Sequence, residues 1–156
     1  MIRRAKFQDL NPCVKLFKES VSKLCVKEYT QDQIKAWIKI DKKKWEEKFT
    51  KDFVYIYEKQ GEIASFISLK EDEKMLDLLF THPKFTRLGL AKELLDFVLK
   101  KYSYKELYVF ASLSAKPFFL KNGFEVIREN EVSKEGQILK KLFNEKRKFI
   151  KIILIL

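Results

Sequence analysis

The chain has 156 residues, 46% of them hydrophobic, with two cysteines and a formal net charge of +11. That supports one globular domain with a sizeable core, and no run reaches the ~18 to 20 apolar residues that span a bilayer, so no membrane association is expected. Of the 33 basic residues 28 are lysines scattered among 22 acids, which reads as a solvated surface able to steer a polyanion and gives no expectation of nucleic-acid binding.

In chain order, Met1-Ile2-Arg3-Arg4-Ala5-Lys6 has charge but no apolar segment behind it, so no secretory signal is expected, and Ile2-Arg3-Arg4 predicts a short first strand. Asp9 or Asn11, with Pro12 in the first turn, starts a helix with the apolar face Val14, Leu16, Phe17, Val21, Leu24 and Cys25. Cys13 and Cys25 fall in that helix, separated by ~18 Å at its usual rise, too far for a disulfide. The expectation is a reduced, cytoplasmic protein whose cysteines fill core or surface, with no metal site. Thr30-Gln31-Asp32-Gln33 has capping-box spacing and opens a second helix bearing Ile34, Trp37 and Ile38, and Lys43 to Phe49 predicts another short helix.

Phe53–Tyr57 and Ile63–Leu69 read as strands joined at Gln60-Gly61, and Met75–Thr81 as the next strand. Gly89–Tyr102 predicts a long helix, Leu107–Ala111 a strand and Ser114 to Asn122 a short helix, with Asn122-Gly123 as its left-handed cap. Phe124–Glu131 and Gln137–Phe143 complete the predicted strands of a domain spanning residues 1–143. A basic and apolar tail, 144–156, reads as an edge strand or a contact arm.

The stretch Thr81-His82-Pro83-Lys84-Phe85-Thr86-Arg87-Leu88-Gly89-Leu90-Ala91 carries most of the information. It joins an apolar strand to a helix that opens at one of only four glycines. The first N–H groups of a helix have no internal partner, and the helix dipole adds positive potential there. Gly89 and Ala91 lack bulk, so a phosphate could approach the backbone closely. The alternative, an ordinary strand-to-helix turn, fits the segment equally well. Neither the nucleotide P-loop spacing nor the dinucleotide glycine pattern is present.

Three motifs in the right order make the chain resemble the GNAT superfamily of acetyl-CoA-dependent N-acetyltransferases, particularly small bacterial members of unassigned substrate. Thr81-His82-Pro83 and Thr86-Arg87-Leu88-Gly89-Leu90-Ala91 match its strand end and Gln/Arg-x-x-Gly-x-Gly/Ala loop, with Thr86 at the Gln/Arg position. Ser112, Ala115 and Phe119 stand in the Asn-x-x-Ala-x-x-x-Tyr places, followed by an intact Lys121-Asn122-Gly123-Phe124. The opening Ile2-Arg3-Arg4-Ala5 with Asp9-Leu10 is the third.

The resemblance implies a mixed α/β fold with a central, mostly antiparallel twisted sheet flanked by helices. It implies acetyl-CoA as co-substrate, its pyrophosphate on the backbone N–H groups of Arg87, Leu88, Gly89, Leu90 and Ala91, with Thr86 also among the cofactor-binding residues and Lys84 or Arg87 adding charge. The pantetheine would pair with backbone at Leu79 and Thr81, near Ser112 and Phe119. It also implies an oxyanion donor at the Leu79 N–H, and direct transfer to a small-molecule or peptide amine. Asp77, placed by alternation on the face of Leu79 and Thr81, and His82, the only histidine, are the proton-acceptor candidates, each set against a structural role. Glu28, Tyr29 and Glu131 are weaker candidates on the acceptor side. Trp37, Trp45 and Tyr55 read as core rather than acceptor wall. Phe119 replaces the tyrosine that would protonate the departing thiolate, so a non-catalytic CoA-binding module is the alternative. A homodimer is left open.

Overall fold

The computed structural model describes residues 1–70 and 72–127 in full and 149–155 as backbone. Its elements are β1 (Ile2–Arg4), α1 (Leu10–Leu24), α2 (Gln31–Ile38), α3 (Lys42–Lys51), β2 (Phe53–Lys59), β3 (Glu62–Lys70), β4 (Met75–Thr81), α4 (Leu90–Lys101), β5 (Glu106–Ser112), α5 (Lys116–Lys121), β6 (Glu125–Val126) and β7 (Phe149–Ile155). Short 3-10 turns at Phe7–Asp9 and Pro83–Phe85 precede α1 and the loop into α4. Contacts divide the chain into a unit of residues 1–104 and one of residues 105–156. No helix among the described residues is long and apolar enough to cross a membrane.

In the first unit β1, β2, β3 and β4 form an antiparallel sheet in sequence order. Gln60 and Gly61 both take positive φ, the geometry of a two-residue hairpin whose twist suits the flanking strands. Helices α1 and α3 cover the face bearing Phe66 and Phe80. Phe17 meets Phe80 edge-on at 4.9 Å, and Trp45 meets Phe66 at 6.2 Å. Helix α4 covers the other face, where Phe97 packs against Tyr55 at 5.0 Å and Leu94, Leu95 and Val98 are buried.

Side chains explain the starts of several elements. Thr30 Oγ1 accepts the Gln33 N–H at 3.2 Å while Gln33 Oε1 accepts the Thr30 N–H at 2.9 Å, completing the predicted capping box. Asp41 caps α3 by accepting the Lys44 N–H. Asp9 does not cap α1 with its side chain. It accepts the Lys6 N–H at 2.7 Å and two bonds from the Arg3 guanidinium, fixing the turn before the helix. Cys13 and Cys25 are both buried and not joined to each other, Val14 is half-buried and Leu24 is exposed.

In the second unit β7 pairs antiparallel with β5 on one side and with β6 on the other. The tail expected at an edge therefore supplies a strand with partners on both sides. Gly123 takes φ +91° after α5, and the Phe124 N–H reaches back to the Phe119 carbonyl at 3.0 Å, as the left-handed cap requires. The strand expected over Phe124–Glu131 is described as the short β6. The strand expected over Gln137–Phe143, the candidate Glu131 and residues 144–148 of the tail lie outside the described residues.

Candidate functional site

Strand β4 turns alternate peptide groups to opposite edges. The His82 N–H donates to the Ala64 carbonyl at 2.8 Å, and the Phe80 carbonyl accepts from the Ser65 hydroxyl at 2.8 Å. Both therefore point toward β3. By the two-residue alternation of an antiparallel ladder, the peptide groups of Leu79 and Thr81 point away from β3. Since Ser65 spends its single hydroxyl proton on Phe80, the Thr81 hydroxyl must donate to Ser65 Oγ, 2.9 Å away. The Thr81 hydroxyl is thus engaged within the sheet, while its peptide group points away from β3.

Alternation fails at Asp77. Ser68 pairs with Leu78, yet Leu69 pairs with Leu76, so Asp77 is the extra residue of a β-bulge. Its carboxylate turns to the face covered by α3 and accepts from Lys48 Nζ. The expected placement beside Leu79 and Thr81 is corrected accordingly. Both side chains of this ion pair are largely shielded, and Asp52 lies close enough for Asp77 to help burial push the Asp52 carboxyl above its usual range.

The segment after β4 has a buried underside and an exposed crest. Phe85 and Leu90 pack on Ala64 with Tyr57 against them, while Arg87, Leu88 and Gly89 are exposed. Thr86 Oγ1 donates to the Pro83 carbonyl at 3.1 Å, so its hydroxyl braces the turn. Arg87 and Gly89 both have positive φ, +62° and +78°. A non-glycine residue in that region costs about 1 kcal/mol, which the rest of the loop must offset. The first α4 bond runs from the Glu93 N–H to the Gly89 carbonyl at 3.0 Å, so the N–H groups of Leu90, Ala91 and Lys92 precede the hydrogen-bonded turns. A Cβ built on Gly89 would meet no atom within 4 Å. N–H groups without an intrahelical partner, beside open space at a helix start, fit an anion such as a diphosphate. The one acid of the first turn, Glu93, is engaged by the Tyr57 hydroxyl, which this bond holds above its ordinary pKa. Lys84 points elsewhere, pairing with Glu62 at 3.2 Å.

Both ring nitrogens of His82 are in use. Nδ1 accepts the Lys84 N–H at 3.1 Å, capping the 3-10 turn, and Nε2 lies 2.6 Å from Glu19 Oε2 of α1. The first bond requires a lone pair on Nδ1, so the proton sits on Nε2 and is donated to Glu19.

The structure brings Leu79, Thr81 and Thr86 to Ala91 into one strand–loop–helix segment. Ser112 and Phe119 belong to the second unit. There the Ser112 hydroxyl oxygen accepts the Ala115 N–H at 3.1 Å, and Phe119 is buried with its ring 5.0 Å from that of Phe124. Trp45 and Tyr55 are core, the latter hydroxyl 2.7 Å from that of Tyr102. Trp37 is half-buried against Tyr29, at 5.2 Å, and Tyr29 itself is buried while Glu28 is exposed. Burial drives the Cys13 thiol well above its ordinary pKa, leaving it a poor nucleophile.

Sequence reasoning missed Glu19, Lys48 and Ser65. Ser65 had a visible signal, a hydroxyl inside an apolar strand; Glu19 and Lys48 had none, because their partners are distant in sequence.

Residues 25–140 match the family model of the acetyltransferase (GNAT) domain. An uncharacterized N-acetyltransferase of Escherichia coli K12, YafP, is 35% identical over 135 residues, covering 86% of this chain and 87% of the relative. Among solved structures, a GCN5-related N-acetyltransferase from Rhodopseudomonas palustris superposes with a TM-score of 0.82 at 24% identity, covering 100% of this chain and 95% of that one. The PaiA N-acetyltransferase from Thermoplasma acidophilum, solved with coenzyme A, gives 0.76 at 19% identity over 100% and 98% of the two chains.

Proposed function

Because this chain belongs to the GNAT family of acetyltransferases, we propose that it transfers the acetyl group of acetyl-CoA directly to an amine bound beside it in a ternary complex. The carrying observation is the β4–α4 segment, where a strand whose Leu79 and Thr81 peptide groups point away from β3 leads to a bare helix start at a left-handed glycine. The PaiA structure, similar in fold and solved with coenzyme A, supports the same ligand class here.

Acetyl-CoA supplies an activated thioester: the amine nitrogen bonds to its carbonyl carbon, the C–S bond breaks, and the amine loses a proton. In this reading the N–H groups from Thr86 through Ala91, with the first turn of α4, hold the pyrophosphate. The Leu79 and Thr81 peptide groups pair with the pantetheine, and the Leu79 N–H steadies the negative charge that develops on the carbonyl oxygen. Direct attack is favoured over a covalent enzyme intermediate because Cys13 and Cys25 are buried.

The proton acceptor is read as solvent. His82 has committed its lone pair to Lys84, which supports a positioning role, and Asp77 is engaged with Lys48 on the α3 face, which supports a structural one. The acceptor is a small-molecule or peptide amine. One observation favours a second reading, a CoA-binding module without turnover: Phe119 stands where the family tyrosine would donate a proton to the thiolate.

Initial-rate kinetics on a panel of primary amines separate these readings. Direct transfer predicts intersecting double-reciprocal lines when acetyl-CoA and amine are varied. Parallel lines would point to a covalent intermediate, and CoA binding with no turnover on any amine would favour the second reading.

A further inference from the structure

We infer that Glu19 is a positioning residue for CoA, acting through His82 to hold the β4–α4 loop in its ligand-receiving shape. The inference rests on the reading of that loop as the CoA site. Glu19 lies on α1, far in sequence from the loop, yet its carboxylate is 2.6 Å from His82 Nε2. The same ring, through Nδ1, accepts the Lys84 N–H at 3.1 Å. A fixed helix therefore sets the ring, and the ring sets the peptide that starts the loop.

The chemistry of imidazole makes this coupling directional. A neutral ring has one donor and one acceptor nitrogen. A carboxylate facing Nε2 selects the tautomer protonated there, which leaves Nδ1 as the acceptor that the Lys84 N–H requires. Without Glu19 the ring could rotate or change tautomer, and a proton on Nδ1 would face the Lys84 N–H donor to donor. The entry to the loop is also held to β3 by the His82 N–H on the Ala64 carbonyl at 2.8 Å and by Phe85 packed on Ala64, but neither contact fixes the His82 ring. Phe85 N–H bonds the His82 carbonyl at 2.8 Å, and Thr86 Oγ1 bonds the Pro83 carbonyl, both within the same short turn. Immediately beyond stand Arg87, with its left-handed backbone, and the exposed Gly89. A strained, exposed crest keeps its shape only if the turn feeding it is over-determined. The Glu19–His82–Lys84 chain provides that constraint from outside the loop.

The test compares CoA affinity by calorimetry and steady-state acetyl-CoA kinetics in the wild type and three variants. Glu19→Ala removes the anchor. Glu19→Gln keeps an oxygen that can accept from Nε2–H. His82→Gln keeps a donor able to reach Glu19 but offers no acceptor at the Nδ1 position. Glu19→Ala and His82→Gln should each weaken CoA binding and raise the acetyl-CoA KM by roughly five- to tenfold, with kcat within about twofold, because the loss is in ligand positioning. Glu19→Gln should stay within about threefold of wild type, rescue by the conservative variant that a role in net charge alone would not show. If wild type binds CoA and Glu19→Ala or His82→Gln binds it equally well, this inference is overturned and the loop reading stands. If wild type does not bind CoA at all, both are overturned.

Discussion

Arg3 forks onto Asp9, with N–O distances of 2.9 and 3.0 Å, and reaches Glu58 at 2.8 Å, tying β1 and the turn before α1 to β2. The Arg3 hydrogen bonds are the main reason the Asp9 carboxyl is held below its usual range, against the opposing effect of burial. A depressed folded-state pKa contributes stability that is full above the unfolded value, near 4, and is lost as pH falls through the folded value. Asp9→Asn should therefore lower the urea midpoint at pH 7, and the gap to wild type should shrink as pH drops below about 4. Equal gaps at pH 7 and at pH 3 would mean that the charge of Asp9 does not matter. At this scale the sequence was informative about which residues are unusual and silent about where they point. Asp77 stands out as a charge in an apolar strand, but its direction depends on a bulge, and a bulge exists only relative to the partner strand β3. His82 stands out as the lone histidine, but its role follows from Glu19, a neighbour in space alone.

Elements defined by local chemistry were legible, because their determinants lie within a few residues. The Thr30–Gln33 capping box, the Gln60-Gly61 hairpin turn and the Gly123 cap all form as their residue types dictate. Thr30→Ala should cost about 1 kcal/mol by removing the cap on α2, with CoA affinity unchanged, since α2 is remote in sequence from the β4–α4 loop. Paired thermal melts and calorimetry check this; a loss of CoA affinity without a loss of stability would assign α2 to the ligand site. Elements defined by distant pairing were less legible. The apolar segment at the C-terminus read as an edge strand or a contact arm, whereas β7 finds β5 and β6 on its two sides. Its partners are chosen by sheet pairing, which leaves no short-range mark.

For the molecule as a whole, the surplus of lysine over acid would draw a polyanionic co-substrate toward the protein before any specific contact forms. In the proposed reading specific recognition then falls to backbone, and this explains how much of the candidate site could be found from the sequence. Glycine at the α4 start and proline after the strand are backbone instructions, and they marked the loop. In the proposed reading the donors are main-chain N–H groups that any residue type could supply, so Leu79 was named from family resemblance and not from its side chain.

The most direct test is calorimetric titration of CoA into wild type, Gly89→Ala and Gly89→Glu. Both variants bear the same cost of a left-handed backbone, about 1 kcal/mol, and a Cβ at this position meets open space, so both should fold. Only the glutamate brings a negative charge to the helix start. If the β4–α4 loop holds the pyrophosphate, Gly89→Ala should bind CoA with a modest loss, and Gly89→Glu should lose at least about tenfold more, roughly 1.4 kcal/mol. A folded Gly89→Glu protein that binds CoA as tightly as Gly89→Ala would place the ligand elsewhere and contradict the account.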